Sequence, residues 1–133
     1  MAKELAVDTN LIVRYVTRDD PGQERQARAL FLDHRIFVPT AVLLGTEWVP
    51  RVTYRYAPDR IVDALTMLVE NEGVRVEHPD GARQALSALR QGLDYADALH
   101  LAACAEVETF VTFDKALAKR APRAFATPRV IAP

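Results

Sequence analysis

The sequence predicts an α/β protein with a three-layer α/β/α arrangement and a mainly parallel sheet of about five strands. Short apolar segments typical of strands alternate along the chain with longer amphipathic segments typical of helices. Strands that are separated by helices need crossover connections, which give parallel pairing with helices on both faces of the sheet. The length of 133 residues, without a repeat or a long linker, fits a single domain over residues 1–133.

The order of the elements follows from local signals. Apolar segments predict the strands ELAVD, RIFVP, VRVEH, TFVTFD and, at a sheet edge, PRVIAP. Thr40 predicts a helix N-cap because its hydroxyl can accept a backbone N–H, and Gly73 and Gly92 end the helices before them. The expected helices are LIVRYVT, Gln23 to about His34, a helix from Ala41, Pro58–Asp59 to about Asn71, Asp80 to Gln91, Asp94 to about Val107, and KALAKR.

The composition narrows the functional classes. Cys104 is the only cysteine, so no intrachain disulfide can form and a reducing cytoplasm fits the chain. The N-terminus has no signal-peptide pattern, and no apolar run approaches the roughly 20 residues of a membrane span, so we expect no membrane association. The net charge of −1 argues against a nucleic-acid binder that relies on its overall charge.

Basic residues nevertheless cluster in two segments. The stretch from Lys115 to Pro133 contains five basic residues and no acid. The segment WVPRVTYRYAPDR holds Arg51, Arg55 and Arg60 among Trp48, Tyr54 and Tyr56. Cations interleaved with aromatic rings suit a phosphate backbone and stacked bases, although a solvated surface has the same composition. The residues expected to contact the phosphate backbone of a nucleic acid are Arg51, Arg55, Lys115 and Lys119.

Acidic residues stand where a parallel α/β sheet binds its ligands. Asp8 ends the first strand and Asp114 ends the fourth, and ligands bind at the carboxyl ends of such strands. Taken alone, each also fits the N-cap of the helix that follows it. Asp97 is different, because it lies in the apolar segment DYADALHLAA, well inside the expected helix, where capping does not explain it. Asp94, three residues earlier, could be the N-cap of that helix.

A shared cation is the economical explanation for these carboxylates. Ionised carboxylates that meet at one point repel each other, and a hard divalent ion offsets that repulsion. Oxygen ligands favour Mg²⁺ or Mn²⁺ over Zn²⁺, and the histidines His34, His78 and His100 are too scattered for a zinc pattern. The chemistry expected of such a site is metal-assisted hydrolysis of a phosphodiester.

The motifs AVDTN, DYADALHLA and VTFD, in this order, resemble those of PIN-domain ribonucleases, and most closely those of VapC-type toxins of type II toxin–antitoxin systems. The resemblance covers essentially the whole chain. It implies a PIN-like fold and a Mg²⁺- or Mn²⁺-dependent endoribonuclease with Asp8, Asp97 and Asp114 as catalytic and metal-binding acids. It also implies an RNA substrate, a homodimer and an antitoxin partner. The residues that resemble supporting positions are Asn10, which would orient Asp8, the hydroxyl residue Thr112 and the accessory acid Asp94.

The fourth acid of the family is where this chain departs from the resemblance. Family members carry a glutamate in the helix after the second strand, and its matching position here is Gly45, with Glu47 nearby. Positions 45 and 47 differ by about 200° around a helix, so Glu47 would reach the site only from a distorted helix. Pro50 could supply the kink, or Glu47 could simply pair with Arg51 one turn later. We count Glu47 among the catalytic candidates, with an impaired enzyme as the alternative.

Three other functions fit parts of the sequence. A phosphatase of the haloacid-dehalogenase type needs an aspartate two residues after Asp8, where Asn10 stands. A phospho-receiver needs an aspartate after a middle strand, where Asp80 is the one match. An inactive PIN-like protein that acts by binding an antitoxin is motivated by Gly45 and Pro50. The metal-dependent endoribonuclease accounts for more of the acidic residues than any of these.

Overall fold

The structure, a computed structural model, describes residues 3–133, and within that range each predicted strand and helix is present. The five strands are β1 (Glu4–Ala6), β2 (Arg35–Val38), β3 (Val74–Val76), β4 (Thr109–Val111) and β5 (Arg129–Ile131). The seven α-helices are α1 (Thr9–Thr17), α2 (Pro21–Asp33), α3 (Thr40–Val52), α4 (Pro58–Glu70), α5 (Pro79–Arg90), α6 (Tyr95–Ala103) and α7 (Lys115–Arg120). None of the helices in this range is long and apolar enough to span a membrane.

The chain divides into two compact units, Met1–Pro79 (unit 1) and Asp80–Pro133 (unit 2). In unit 1, β2 lies between β1 and β3 and pairs in parallel with both. In unit 2, β4 and β5 form a parallel pair. The predicted α/β class, the five strands and their parallel direction are therefore confirmed. The difference is that strands of three or four residues are hydrogen-bonded as a three-stranded and a two-stranded sheet, not as one continuous sheet.

The core of unit 1 is built from its central strand and its helices. The side chains of Ile36 and Val38, which lie on the same face of β2, are completely buried, whereas Arg35 on the other face is exposed and Phe37 is half-buried. Helices α1, α3 and α4 each bury at least one large apolar residue, including Ile12, Leu43 and Leu65. Helix α1 packs against both α2 and α3, so the chain that leaves β1 enters a helix held on two sides.

The start of helix α3 corrects the predicted cap. Thr40 is the first helical residue, Pro39 occupies the N-cap position, and no side chain of the cap residue bonds to the helix. The N–H of Thr40 instead donates to Oε1 of Glu77, 3.0 Å away, in the segment after β3. A carboxylate from a distant part of the chain therefore satisfies this helix end, where the positive end of the helix dipole favours it.

Helix α6 in unit 2 is shorter than predicted. Its interior is apolar, with Ala98 and Leu101 completely buried, but it ends at Ala103 rather than near Val107. The N–H of Cys104 donates to the carbonyl of Leu101, and the N–H of Val107 donates to the carbonyl of Cys104, at 3.0 and 2.9 Å. These tighter three-residue turns take the chain out of the helix before β4 begins.

A polar network fixes the turn between α1 and α2 in unit 1. Nη1 of Arg14 and the hydroxyl of Tyr54 donate to the carboxylate of Asp19, at 3.0 and 2.8 Å. The hydroxyl of Thr17 donates to the same carboxylate at 2.9 Å. Nε of Arg14 donates to Oε1 of Gln23 at 2.8 Å. Tyr54 is therefore held by a structural network that joins the end of α1 to the segment after α3.

Replacing Tyr54 with phenylalanine should lower the free energy of unfolding by about 0.5 kcal/mol, the low end for a lost hydrogen bond, because the network borders solvent. The same network lowers the pKa of Asp19, first through the Tyr54 hydroxyl and then through Thr17 and Arg14. A lowered folded-state pKa stabilises the fold above the unfolded value of about 3.9, and this contribution is lost as the pH falls through the folded value. Urea unfolding should therefore show a larger effect at neutral pH than at about pH 2. Tyr56→Phe is the matched control, and an equal effect of both substitutions at neutral pH would contradict the prediction.

Candidate functional site

Asp8, the acidic candidate in unit 1, is the N-cap of α1. Its backbone is extended, with φ −95° and ψ 175°, and Oδ1 accepts a hydrogen bond from the N–H of Leu11 at 3.1 Å. The side chain is exposed. The backbone of Leu11 thus orients this carboxylate, whereas Asn10 forms no hydrogen bond with it in the described part of the chain. The supporting role of Asn10 stays a prediction.

Two acids of unit 2 are held in the same manner. Asp94 is the N-cap of α6, and its Oδ2 accepts a hydrogen bond from the N–H of Asp97 at 3.1 Å. Asp114 is the N-cap of α7, and its Oδ1 accepts from the N–H of Leu117 at 3.0 Å. The N–H of Asp114 in turn donates to Oγ1 of Thr112 at 3.0 Å, which fixes the backbone of this acid. Capping therefore positions both carboxylates and engages one oxygen of each.

Asp97 lies in the first turn of α6, which corrects the prediction that it is well inside the helix. The helix begins at Tyr95 because Asp94 caps it, so a negative charge at Asp97 is favoured by the helix dipole. The side chain is half-buried, and burial raises its pKa above the ordinary value, followed by repulsion from Asp94 and then from Asp114. The charge interaction with His100 acts on the pKa of Asp97 in the opposite direction. Asp94, Asp97 and Asp114 form a group, here called the acidic cluster, in which Asp97 is repelled by the other two carboxylates.

The acidic cluster has the chemistry of a site for a hard divalent ion. No three His, Cys, Asp or Glu side chains within residues 3–133 are arranged to enclose a metal ion. Mg²⁺, however, is usually held by one or two carboxylates together with water and substrate phosphate. The repulsion that raises the pKa of Asp97 is the interaction that a bound cation would relieve. The donors therefore fit a two-carboxylate site formed by Asp97 and Asp114.

Glu47 is buried and paired. Only 4 % of the residue is exposed, and both of its carboxylate oxygens accept hydrogen bonds from Arg51, at 2.5 Å from Nε and 3.2 Å from Nη2. The other buried acid of the described chain, Glu24, is held in the same way by Arg28, four residues later on α2. Two pairs of equal spacing indicate a structural role for both glutamates. The prediction that Glu47 is the fourth catalytic acid stays untested.

Position 45 is filled from the opposite helix. A Cβ placed on Gly45 would lie 2.5 Å from Oγ1 and 2.8 Å from Cγ2 of Thr9, the first residue of α1. Helices α1 and α3 therefore approach so closely that the Thr9 side chain occupies the space that a side chain at position 45 would need. The sequence interpretation did not identify Thr9, and its place beside Asp8 in AVDTN was the one signal that pointed to it.

Replacing Gly45 with alanine should lower the free energy of unfolding by about 1 kcal/mol. Overpacking against Thr9 costs about 1 to 3 kcal/mol, and the better helix propensity of alanine returns roughly 1 kcal/mol. In a Thr9→Ala background the two closest atoms are gone, so the same substitution should be neutral or stabilising. Chemical unfolding of the four proteins in this cycle measures the coupling. If Gly45→Ala costs the same in both backgrounds, the two helices do not approach at this point.

The predicted RNA-backbone residues differ in their surroundings. Arg51 is engaged with Glu47, as described above. Arg55 is exposed and adopts a left-handed backbone conformation with φ 55°. Lys115 and Lys119 are exposed on α7, one in the first and one in the last turn, and Lys115 directly follows Asp114 in the chain. Contact between any of these side chains and RNA stays a prediction.

Comparison with known proteins gives one match. The model of the PIN domain family matches residues 5–122, which include Asp8, Asp94, Asp97 and Asp114. The comparisons with curated proteins and with solved structures found no match.

Proposed function

Because the chain belongs to the PIN domain family, whose members are generally metal-dependent nucleases, we propose that it is a metal-dependent endoribonuclease. The observation that carries the proposal is the acidic cluster, in which Asp97 is half-buried beside two like charges. A protein keeps ionisable groups in such an unfavourable arrangement at functional sites more often than elsewhere. The RNA specificity rests on the resemblance of AVDTN, DYADALHLA and VTFD to ribonuclease motifs.

The residues of unit 2 support this chemistry in distinct ways. Asp97 and Asp114 would hold Mg²⁺ or Mn²⁺, which when bound supplies Lewis-acid stabilisation of the charge on the phosphate and activates water. Asp94 fixes the first turn of α6 through the N–H of Asp97, and Thr112 fixes the backbone of Asp114. These hydrogen bonds fix the backbone that carries both carboxylates before substrate binds. Asp8 is proposed as a further acid of the reaction on the basis of the AVDTN motif alone.

The test is cleavage of single-stranded RNA with Mn²⁺ or Mg²⁺ and with a chelator. We expect cleavage with either ion and none with the chelator. Asp114→Asn should reduce the rate at least about a hundredfold, since it removes a charge that binds the ion while asparagine still caps α7. Asp20→Asn is the matched control, because Asp20 caps α2 through the N–H of Gln23 and lies outside the acidic cluster. Cleavage that survives in Asp114→Asn would remove the basis of the proposal.

We further propose that the protein is the toxin of a type II toxin–antitoxin pair, acting in the cytoplasm as a homodimer that an antitoxin inhibits. The support is the closeness of its three motifs to VapC-type sequences. Induced expression in a bacterial host should arrest growth, and the Asp114→Asn variant should relieve the arrest at equal protein levels. Unimpaired growth with active, RNA-cleaving protein in the cell would argue against a toxin.

A second function is a catalytically weakened PIN protein that acts by binding an antitoxin. It is favoured by one observation, that Thr9 fills the space at Gly45 where the family carries its fourth acid. Titration with Mn²⁺ separates the two functions when it is combined with the cleavage assay. Mn²⁺ binding that Asp8→Asn or Asp97→Asn weakens, together with cleavage, identifies the enzyme. Without cleavage, antitoxin binding becomes the better description.

A further inference from the structure

A pocket of about 270 Å³ opens in unit 1 along α1 and α4, outside the acidic residues described above. This volume is slightly below the roughly 300 to 1,000 Å³ of sites for drug-sized ligands, so it suits one nucleoside-sized group. Two aromatic rings, two guanidinium groups and one carboxylate line it. These groups, which define the Tyr56 pocket, belong to Tyr15, Tyr56, Arg18, Arg60 and Asp63.

The basic and aromatic residues of the segment WVPRVTYRYAPDR have two different roles. Tyr54 donates to Asp19 and Arg51 pairs with Glu47, so both serve the fold. Tyr56 and Arg60 instead line the pocket, with Cζ of Arg60 3.8 Å from the centre of the Tyr56 ring. A planar guanidinium stacked on an aromatic ring offers a flat, charged surface, which is the surface that a nucleobase and its phosphate recognise.

The ring of Tyr15 and the backbone of Arg18 are held in place before any ligand arrives. The ring of Tyr15 is stacked on Phe31, with centroids 4.5 Å apart and planes 11° apart. Arg18 is the C-cap residue of α1, with a left-handed φ of 58° and its N–H donating to the carbonyl of Arg14. Within residues 3–133, neither Arg18 nor Arg60 forms an ion pair with a carboxylate. The fixed rings and the available guanidinium groups reduce the ordering cost of binding a flexible strand.

The charges of the pocket favour a nucleotide over an uncharged ligand. Arg18 and Arg60 outnumber Asp63, so the lining is positive and suits one phosphate. The carboxylate of Asp63 accepts hydrogen bonds only, which suits the N–H groups on the edge of a base. An acidic peptide would satisfy the guanidinium groups, but it would leave the aromatic rings without a flat partner.

We propose that the Tyr56 pocket binds one nucleotide of single-stranded RNA, with the base against Tyr56 and Arg60, the phosphate at Arg18 and Arg60, and Asp63 at the edge of the base. The choice of RNA rests on the proposed function. The site gives unit 1 a role in holding the substrate strand. It adds binding energy that is equal in the ground state and the transition state, so it acts on KM and leaves kcat unchanged.

The test measures how a fluorescein-labelled single-stranded oligoribonucleotide of mixed sequence binds to the full chain. Binding is detected by fluorescence anisotropy, with a chelator present to prevent cleavage. Tyr56→Ala should weaken binding about tenfold because it removes a stacked ring, whereas Tyr56→Phe should bind within about twofold of wild type. Arg60→Ala should weaken binding and reduce the salt dependence by about 0.7 in the slope of log K against log salt. Arg25→Ala is the charge-matched control, since Arg25 is exposed on α2 outside the pocket. It should change the affinity less than about twofold.

A second measurement covers the case in which Tyr56→Ala does not fold. Tyr56→Trp in a Trp48→Phe background places the single tryptophan of the chain in the pocket, and the RNA should quench its fluorescence. Equal affinities of wild type, Tyr56→Ala and Arg60→Ala would overturn the inference, as would equal losses in Arg60→Ala and Arg25→Ala. A protein that binds RNA through Tyr56 without cleaving it would refute the proposed function and leave the pocket assigned. If a folded Tyr56→Ala variant cleaves RNA with an unchanged KM, the assignment of the pocket is refuted and the proposed function stands.

Discussion

An Asp97→Asn variant should cleave RNA about a thousandfold more slowly than the wild type while melting at a slightly higher temperature without metal. The loss of activity follows because Asp97 is the half-buried member of the acidic cluster, and a bound ion contributes several kcal/mol of charge stabilisation at such a site. The gain in stability follows because the ionised side chain is partly desolvated and repelled by Asp94 and Asp114. A single substitution should thus move activity and stability in opposite directions.

The pKa of Asp97 determines how the stability difference between Asp97→Asn and the wild type changes with pH. The pKa of Asp97 is raised in the folded protein, first by burial and then by its acidic neighbours. The folded protein therefore binds this proton more tightly than the unfolded chain. The resulting stabilisation is fully present below the unfolded pKa of about 3.9 and is lost as the pH rises through the folded pKa. The advantage of Asp97→Asn should accordingly be present at neutral pH and vanish near pH 3.

The expected gain at neutral pH is about 0.5 kcal/mol, or roughly 2 °C, because the helix dipole at the first turn of α6 favours the charge and offsets part of the repulsion. Asp59→Asn is the matched control, since Asp59 also lies in the first turn of a helix, α4, but outside the acidic cluster. It should be neutral or slightly destabilising. Millimolar Mg²⁺ should raise the melting temperature of the wild type more than that of Asp97→Asn. A variant that melts lower than the wild type in chelator at neutral pH would contradict the expected repulsion.

An Arg51→Met variant should lose about 1 to 3 kcal/mol of unfolding free energy. Methionine keeps the apolar stem of the side chain and removes the guanidinium, so the carboxylate of Glu47 stays buried without its ion-pair partner. Because the Arg51 side chain is about half-exposed, we expect a smaller loss of stability than for a fully buried ion pair. Glu47→Gln should cost less than about 1 kcal/mol, because the amide oxygen still accepts a hydrogen bond from Arg51.

The pair of Glu24 and Arg28 supplies the control for this prediction. Its carboxylate is as buried and its arginine as exposed as in the pair on α3, so Arg28→Met should cost a similar amount in chemical unfolding. If Arg51→Met is as stable as the wild type, Glu47 has another partner. A cleavage assay tests the role of Glu47 separately from stability. If Glu47 has a structural role only, the Glu47→Gln variant should retain most RNA cleavage. Cleavage that collapses in Glu47→Gln alone would make Glu47 the fourth catalytic acid after all.

The elements of the fold could be predicted because each is specified by its own residues. The alternation of apolar segments identified the five strands and seven helices, and the spacing of Glu47 and Arg51 indicated their ion pair. The depth of Asp97 in its helix was misjudged, although the aspartate three residues before it carried the signal of an N-cap. The helix start, once placed at Tyr95, puts Asp97 in the first turn.

The features that the sequence did not predict depend on residues far apart in the chain. The cap of α3 comes from Glu77, and the space at Gly45 is taken by Thr9. The Tyr56 pocket needs Arg18, which lies far from the basic and aromatic segment WVPRVTYRYAPDR in the chain. Local propensity holds no information on such pairs, because their distance is set only when helices and strands pack.

The order of strands in unit 1 has a consequence for the synthesis of the chain. β1, β2 and β3 are neighbours in the sheet in the same order as in the sequence, so every strand of this sheet is present once residue 79 has been made. Translation of residues 80–114 then takes roughly 2 to 7 s, and Asp97 and Asp114 are made only in this interval. A nascent chain thus carries Asp8 early and the acidic cluster late. A nuclease that is harmful to its own cell would in this way stay chemically incomplete until Asp114 has been made.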